Sequence, residues 1–184
     1  MFYKWQRLDM KAAYDPAINS TGREFLGRKL VPHFSDFFKD GDKILCTGKQ
    51  PFWDYSTLFN NTMKFCEYIT VDIREETEPD IVDDLGKSKM EDSSFDGILC
   101  IGLFDSLIES SAAEVKAGLT KLLKKGGRML LATNIANPTA FIAAWPEFMI
   151  DEIYYIHGEG NKVGSEGYYQ TGVVQSSFAI LRKR

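Results

Sequence analysis

The residues of this sequence that could do chemistry are few, and they stand where predicted strands end. Asp72 closes one apolar run, and a carboxylate there can accept hydrogen bonds from both hydroxyl groups of a ribose. His157 ends a later run and is a candidate general base, whereas His33 lies in an N-terminal helical segment and is expected to be structural. An Asp after a strand is often only a turn or cap residue, so that alternative for Asp72 stays open.

Several other kinds of chemistry find no support in the sequence. Its two histidines and three scattered cysteines give no metal-ligand spacing, and no Ser-His-Asp arrangement is suggested. Cys46, Cys66 and Cys100 form no CxxC pair, and two of them fall inside apolar runs. They are therefore expected to be buried free thiols, which favours a reducing cytosol.

Length and composition predict one soluble globular domain over residues 1–184. The chain is 44% hydrophobic and 26% charged, with a formal net charge of −4. A negative net charge does not indicate a nucleic-acid-binding protein. The basic run at 182–184 is expected to be a solvated tail. No apolar run resembles a signal peptide or is long enough to span a bilayer, so we expect a cytoplasmic protein without a membrane partner.

Apolar runs and helical spacings alternate along the chain, which predicts an α/β fold with a mostly parallel sheet covered on both faces. No helix is predicted between the last two strands, and their connection, 158–171, is rich in glycine and polar residues. We therefore expect these two strands to form an antiparallel hairpin at the end of a doubly wound, seven-stranded sheet. In chain order the predicted strands are 43–46, 68–72, 81–82, 97–101, 128–132, 150–156 and 173–181.

Helical spacing predicts the segments that cover this sheet. The first follows a capping box at 21–24. A later helix is capped at Ser111 and stopped by Gly126 and Gly127, which is typical of a left-handed C-terminal cap. In chain order the predicted helical segments begin near residues 25, 52, 111 and 138.

Two stretches within this pattern carry a family resemblance. Residues 79–101 contain PDIVDDL and then EDSSFDGILCI, so that an acidic residue ends the third strand and a D-x-S-F-D turn leads into the fourth. Residues 122–131 read LLKKGGRMLL, a helix-GG-strand unit. Together they resemble the class I S-adenosylmethionine-dependent methyltransferases of the small type 11 subgroup, which have a Rossmann-like sheet. The resemblance divides the chain into a helical lead-in or lid (1–40), a cofactor-binding core (41–134) and a hairpin region (135–184).

The resemblance implies a site for S-adenosylmethionine at the ends of the first four strands. In the family, the acid that ends the second strand binds the ribose. The end of the third strand reads adenine through a carboxylate, here Asp84, and a backbone N–H, here that of Leu85. The end of the fourth strand brings backbone near the amino acid part of the cofactor. The implied contacts are Gly48, Asp72, Ile73, Asp84, Leu85, Ile101 and Gly102.

The first loop, 44–51, departs from the family pattern. The family has an acid and a glycine-rich D-x-G-x-G turn there, whereas this chain has Cys46 at the acidic position and keeps Gly48 before Lys49 and Gln50. Loss of the acid removes a partner for the cofactor's ammonium group, and Lys49 brings positive charge towards its sulfonium. Two alternatives follow: a working methyltransferase with altered cofactor binding, or a non-catalytic module that keeps the fold for binding or assembly.

The substrate side offers few candidate groups. After its fourth strand the subgroup often has L-E-H, where this chain has F-D-S at 104–106. Asp105 therefore keeps the acid and no imidazole stands beside it. Asp105 and His157 are the candidate catalytic residues, and a helix-start cap is the alternative for Asp105.

The expected acceptor of the methyl group is a small molecule or a saccharide. No large insertion follows the fifth predicted strand, so we expect a substrate site that is shallow, or that is completed by a second copy of the chain or a partner subunit. A nicotinamide-dependent dehydrogenase is disfavoured, because no G-x-G-x-x-G follows the first strand.

Overall fold

One mixed sheet organises the chain in the computed structural model, which describes residues 25–48, 64–133, 138–157, 163–164 and 174–184. In chain order its strands are β1 Lys43–Thr47, β2 Glu67–Asp72, β3 Ile81–Val82, β4 Phe95–Ile101, β5 Leu123–Thr133, β6 Phe148–His157, β7 Val163–Gly164 and β8 Val174–Lys183. Across the sheet they follow the order β3-β2-β1-β4-β5-β8-β6-β7.

The strand directions agree with the doubly wound sheet that the sequence predicts. Strands β1 to β5 pair in parallel, while β8 is antiparallel to both β5 and β6. All seven predicted strands are present, and the C-terminal antiparallel hairpin is confirmed. The two-residue strand β7 pairs with the end of β6 and adds an eighth strand at that edge, which the sequence pattern did not predict.

Side chains of the central strands contribute to two hydrophobic layers, one on each face of the sheet, because successive side chains of a strand point to opposite faces. Ile44 and Cys46 of β1 face one layer, and Leu45 faces the other. The first layer is covered by a π-helical turn, Leu26–Leu30, that runs directly into helix α1, Val31–Ser35. The second layer is covered by helix α2, Glu109–Leu122, and by residues of helix α3, Pro138–Ala143.

Two details of the predicted helix α2 are wrong. The helix begins at Glu109 rather than at Ser111, and no side chain caps its start. It ends at Leu122, because Leu123 is already extended and pairs with Phe95 of β4. Strand pairing therefore ends this helix, and the glycines that follow do not cap it.

Gly126 nevertheless has the left-handed backbone conformation that its sequence context indicates, with φ +76°. It lies in an excursion of β5, 124–127, that falls between the pairs Phe95–Leu123 and Gly97–Arg128. A positive φ favours glycine because it has no Cβ. The glycine pair thus shapes a bulge in the sheet.

Some expectations fall on residues outside the described ranges. These are the capping box at 21–24, the N-terminal lid, the helix near 52–59 and most of the 158–171 connection. Within the described ranges, every helix is too short or too polar to span a lipid bilayer.

Candidate ligand site at the carboxyl edge of the sheet

The first four strands end at nearly the same level along one edge of the sheet. Thr47 of β1 is in register with Val71 of β2 and Cys100 of β4, and Asp72 is in register with Val82 of β3. Two backbone hydrogen bonds continue the pairing beyond the strands, from Gly48 N–H to the Val71 carbonyl at 2.9 Å and from Asp83 N–H to the Asp72 carbonyl at 3.1 Å. The residues that follow these strands therefore share one edge, where ligands bind in doubly wound sheets.

Two glycines at this edge turn the chain away from the sheet. Gly48 and Gly102 both have φ +68°, in the left-handed region that favours glycine. Gly102 N–H still donates to the Ala132 carbonyl at 2.8 Å, so the turn after β4 stays attached to β5. Of the loop after Gly48, which carries Lys49 and Gln50, nothing lies within the described ranges.

Asp72 is buried and ion-paired. Its side chain is only 4% exposed, whereas that of its partner Arg74 is 44% exposed. Asp72 Oδ1 accepts hydrogen bonds from the Arg74 backbone N–H at 2.9 Å and from Arg74 Nε at 3.1 Å, and Oδ2 accepts from the second guanidinium nitrogen at 3.1 Å. Ile73, between them, is 65% exposed.

The contribution of Arg74 to this site was not predicted from the sequence. Its signal was an arginine two residues after an acid at a strand end, the D-x-R spacing of 72–74. The pairing depends on the backbone turn that follows β2, in which Thr77 N–H and its hydroxyl both donate to the Arg74 carbonyl. A sequence pattern does not specify such a turn, because many conformations can follow a strand.

Asp84 and Leu85 form a compact turn after β3. Asp84 Oδ1 accepts a hydrogen bond of 3.0 Å from Gly86 N–H and caps the 3-10 turn Leu85–Lys87. The Leu85 side chain is buried in the hydrophobic layer of α2. Its backbone N–H donates to no residue of the described ranges. One carboxylate oxygen of Asp84 is thus used for capping, and within the described ranges the Leu85 N–H remains available to a ligand.

Cys46 and Ile101 turn their side chains into the core rather than towards the edge. Cys46 is fully buried, and burial raises the pKa of its thiol well above the ordinary value, with a smaller contribution from the charge of Asp80. The thiol is therefore neutral and packs in the same hydrophobic layer as Ile101. At both positions only the backbone remains for a ligand at the edge.

The turn after β4 carries the candidate substrate-side acid. Asp105 lies in the 3-10 turn Phe104–Ser106 and its Oδ1 accepts a hydrogen bond of 2.6 Å from Thr133 Oγ1. Thr133 is buried at the end of β5, so this bond joins the turn after β4 to the end of β5. The alternative of a helix-start cap for Asp105 is not supported, because no side chain caps α2.

The two histidines lie at different positions relative to strand β6. His157 ends β6, whose direction matches that of β5, so its backbone lies at the carboxyl edge with β8 between it and Thr133. His33 of α1 instead bonds Glu152 in the middle of β6, with 2.7 Å between Nε2 and Oε1. Among the described residues, no group of three His, Cys, Asp or Glu side chains is arranged to hold a metal ion.

Comparison with known proteins identifies this fold. No protein-family model and no curated protein matches the sequence. The N-methyltransferase NodS from Bradyrhizobium japonicum, solved with S-adenosyl-L-homocysteine, superposes with a TM-score of 0.65 at 13% identity, over 98% of each chain. A SAM-dependent methyltransferase from Archaeoglobus fulgidus gives a TM-score of 0.59 at 16% identity over 88% of this chain and 98% of its own.

A third structure leads to the same fold. The TehB-like SAM-dependent methyltransferase from Corynebacterium glutamicum gives a TM-score of 0.60 at 14% identity, over 88% of this chain and 94% of its own. The chain therefore has the fold of the class I S-adenosylmethionine-dependent methyltransferases, as its sequence resemblance implies. At these identities the likeness establishes the fold, which by itself does not specify a function.

Proposed function

We propose that this chain binds S-adenosylmethionine at the carboxyl edge of β1 to β4 and transfers the methyl group to a small-molecule or saccharide acceptor. The observation that carries this proposal is the convergence of Gly48, Asp72 and the Asp84–Leu85 turn on adjoining strand ends. These are the positions at which this type of sheet offers a sugar acceptor and a purine contact in one groove.

The residues present fit most parts of such a cofactor. Asp72 offers a carboxylate to the ribose hydroxyls, and Leu85 offers a backbone N–H to an adenine nitrogen. The exposed side chain of Ile73 supplies an apolar surface beside them. Gly48 and Gly102 leave space for backbone to approach the amino acid part. When bound, the cofactor supplies an activated methyl group on a sulfonium sulfur.

On the substrate side, Asp105 is the proposed proton acceptor. A hydroxyl or amine acceptor must lose a proton on methylation, and a carboxylate held in place can accept it. Thr133 holds Asp105 by the 2.6 Å hydrogen bond to Oδ1, so Thr133 is a positioning residue. His157 is proposed as a second base, because β6 brings its backbone to the same edge.

A second copy of the chain or a partner subunit is proposed to complete the acceptor site. Helix α3, the described helix between β5 and β6, is short and packs onto α2. Lys116 Nζ donates to the Phe141 carbonyl at 2.9 Å and lies 3.6 Å from the centre of the Phe141 ring. Trp145 Nε1 donates to Thr120 Oγ1 at 2.8 Å. A helix pinned in this way has little freedom to close over a substrate.

A non-catalytic binding or assembly module is the second candidate function. Two observations keep it as an alternative: Cys46 replaces the acid that would meet the cofactor's ammonium group, and the Arg74 guanidinium is paired with the Asp72 carboxylate. Both features weaken the expected binding of a cationic cofactor, and both are compatible with the fold.

Calorimetric titration with S-adenosylmethionine and S-adenosyl-L-homocysteine tests the proposed site. We expect saturable binding that weakens about tenfold in Asp84→Asn, which keeps an oxygen to cap the turn but loses the charge. Asp83→Asn is the matched control, because Asp83 stands beside Asp84 and pairs with Ser88 instead. Absence of heat at millimolar ligand would reject the cofactor assignment.

Turnover then separates the two candidate functions. Transfer of a labelled methyl group to a panel of hydroxyl and amine acceptors is expected, and Asp105→Asn should reduce its rate about a hundredfold, the range of one general base. Thr133→Ser keeps the hydroxyl that positions Asp105 and is expected to retain the rate. Binding without transfer to any acceptor would instead support the non-catalytic module.

A further inference from the structure

The carboxylate of Asp72 is already ion-paired within the protein. Both of its oxygens accept hydrogen bonds from Arg74, at distances of 2.9 to 3.1 Å, in the paired geometry that a guanidinium offers to a carboxylate. A ribose diol presents two hydroxyl donors and needs the same two oxygens. The guanidinium and a ribose therefore compete for one acceptor.

We propose that Arg74 determines ligand affinity and selectivity at this site, because a nucleoside reaches Asp72 only by displacing the Arg74 guanidinium. The inference rests on the proposed function, since it concerns the same carboxylate. It adds that a ligand with a ribose diol exchanges for the guanidinium, whereas a nucleoside without the diol leaves the Asp72–Arg74 pair intact.

The surroundings allow this exchange without unfolding the turn. The Arg74 side chain is 44% exposed and its guanidinium already meets solvent, whereas Asp72 is 4% exposed and needs a replacement partner. The Arg74 backbone is held separately, by its N–H on Asp72 and by Thr77 on its carbonyl. The side chain can therefore leave while the turn stays in place.

The residues after Arg74 offer the displaced cation a new environment. Glu75, Glu76 and Glu78 follow directly and are exposed on the 3-10 turn and its end. These residues are one, two and four positions from Arg74 in the sequence, and opposite charges attract even at high dielectric. Displaced from Asp72, the guanidinium would remain in solvent beside this acidic turn.

Arg74→Met is the variant that tests this inference, because it keeps the length of the side chain and removes the competing donors. The Arg74 backbone N–H still donates to Asp72 Oδ1 in this variant, which keeps the carboxylate partly satisfied. Lys87→Met is the matched control: it removes an exposed cation from the turn after β3 and leaves the Asp72–Arg74 pair intact. Affinities for S-adenosyl-L-homocysteine are measured by calorimetry in the wild type and both variants.

We expect Arg74→Met to bind S-adenosyl-L-homocysteine on the order of tenfold tighter than the wild type, the factor of one charge-assisted hydrogen bond. Lys87→Met should match the wild type. As a second readout, adenosine and 2′,3′-dideoxyadenosine are titrated as probes. The preference for adenosine should increase in Arg74→Met, because only the diol gains from the vacated oxygens.

The possible failures are distinguishable. If the wild type binds S-adenosyl-L-homocysteine and Arg74→Met binds it equally or more weakly, the inference on Arg74 is overturned while the proposed cofactor site stands. If neither protein binds any of the probes at millimolar concentration, both are overturned, because a vacated Asp72 should then bind best. Binding by Arg74→Met alone supports the inference in its strongest form, with Arg74 as a block.

Discussion

The backbone carbonyl oxygen of Leu85 lies directly against the Cα of Gly118 in helix α2. A Cβ added at Gly118 would stand 1.8 Å from that oxygen, far inside the contact distance of carbon and oxygen. The absence of a side chain at one helical position thus lets the turn after β3, with the capping carboxylate of Asp84, pack onto the helix.

Gly118→Ala is expected to destabilise the protein by about 3 kcal/mol, because the backbone must shift to relieve the clash. Alanine would otherwise favour a helix by about 1 kcal/mol, so the sign of the effect is diagnostic. The free energy of unfolding in urea measures it. Ala117→Gly, at the exposed neighbouring position, is the control and should cost only about 1 kcal/mol. A Gly118→Ala protein as stable as the wild type would show that the contact is not tight.

Cys46→Asp is expected to destabilise the protein by about 3 kcal/mol or more. This change restores the acid of the family pattern, but Cys46 is fully buried and packs with Leu99 and Ile101. A carboxylate without a partner in such a layer carries a large desolvation cost. Urea unfolding is the measurement, with Cys46→Ala, expected to cost about 1 kcal/mol, as the control for lost volume.

The opposite outcome at this position would also be informative. If Cys46→Asp unfolds at the same urea concentration as the wild type and also binds S-adenosylmethionine more tightly, the position faces the ligand and its assignment to the core is incorrect.

The hydrogen bond between Thr133 and Asp105 should stabilise the attachment of the turn after β4 to the end of β5. Thr133→Val keeps the shape of this buried residue but removes the donor to Asp105 Oδ1, at a cost of about 1 to 3 kcal/mol. Thr133→Ser keeps the hydroxyl and should recover most of the loss in urea unfolding. Equal stabilities of the valine and serine variants would contradict a significant role for this bond.

Glu152 is expected to make stability depend on pH in the acid range. Partial burial alone would raise the pKa of Glu152, but hydrogen bonds from Tyr154 and His33, with the charge of His33, outweigh burial and lower the pKa below its ordinary value. The stabilising contribution is therefore complete above the pKa of the unfolded chain, about 4.3, and is lost as the pH falls through the lower folded value.

Urea unfolding of the wild type and Glu152→Gln between about pH 3 and pH 7 checks this dependence. The wild type should be more stable at neutral pH by about 1 kcal/mol, and the difference should vanish at the acid end. Glu147→Gln, at an exposed position before β6, is the control and should follow the wild type. A difference that stays constant with pH would assign the effect of Glu152 to packing.

Much of the fold was predictable because hydrophobic periodicity and strand direction are local consequences of the sequence. The strand Ile81–Val82 was predicted with its observed bounds. The sequence pattern could not predict structure that depends on pairing between segments distant in the sequence. Leu123 pairs with Phe95 of β4 instead of extending helix α2. The short strand β7 is defined by its pairing with β6.

The candidate site shows the same division. The positions of Gly48, Asp72 and Gly102 at strand ends followed from the strands themselves, and the structure brings them to one edge. The Asp72–Arg74 pair was not predicted, because it depends on the dihedral angles of a turn. Side-chain partners within such turns are decided by a few degrees of backbone rotation, to which residue patterns are insensitive.

A crystal structure of the chain with S-adenosyl-L-homocysteine tests the central claim most directly. We expect the ligand at the carboxyl edge of β1 to β4, with its ribose on Asp72, its adenine at Leu85 and the Arg74 side chain turned away. Crystals grown with millimolar ligand that show Arg74 still paired with Asp72 and no ligand at this edge would contradict the account.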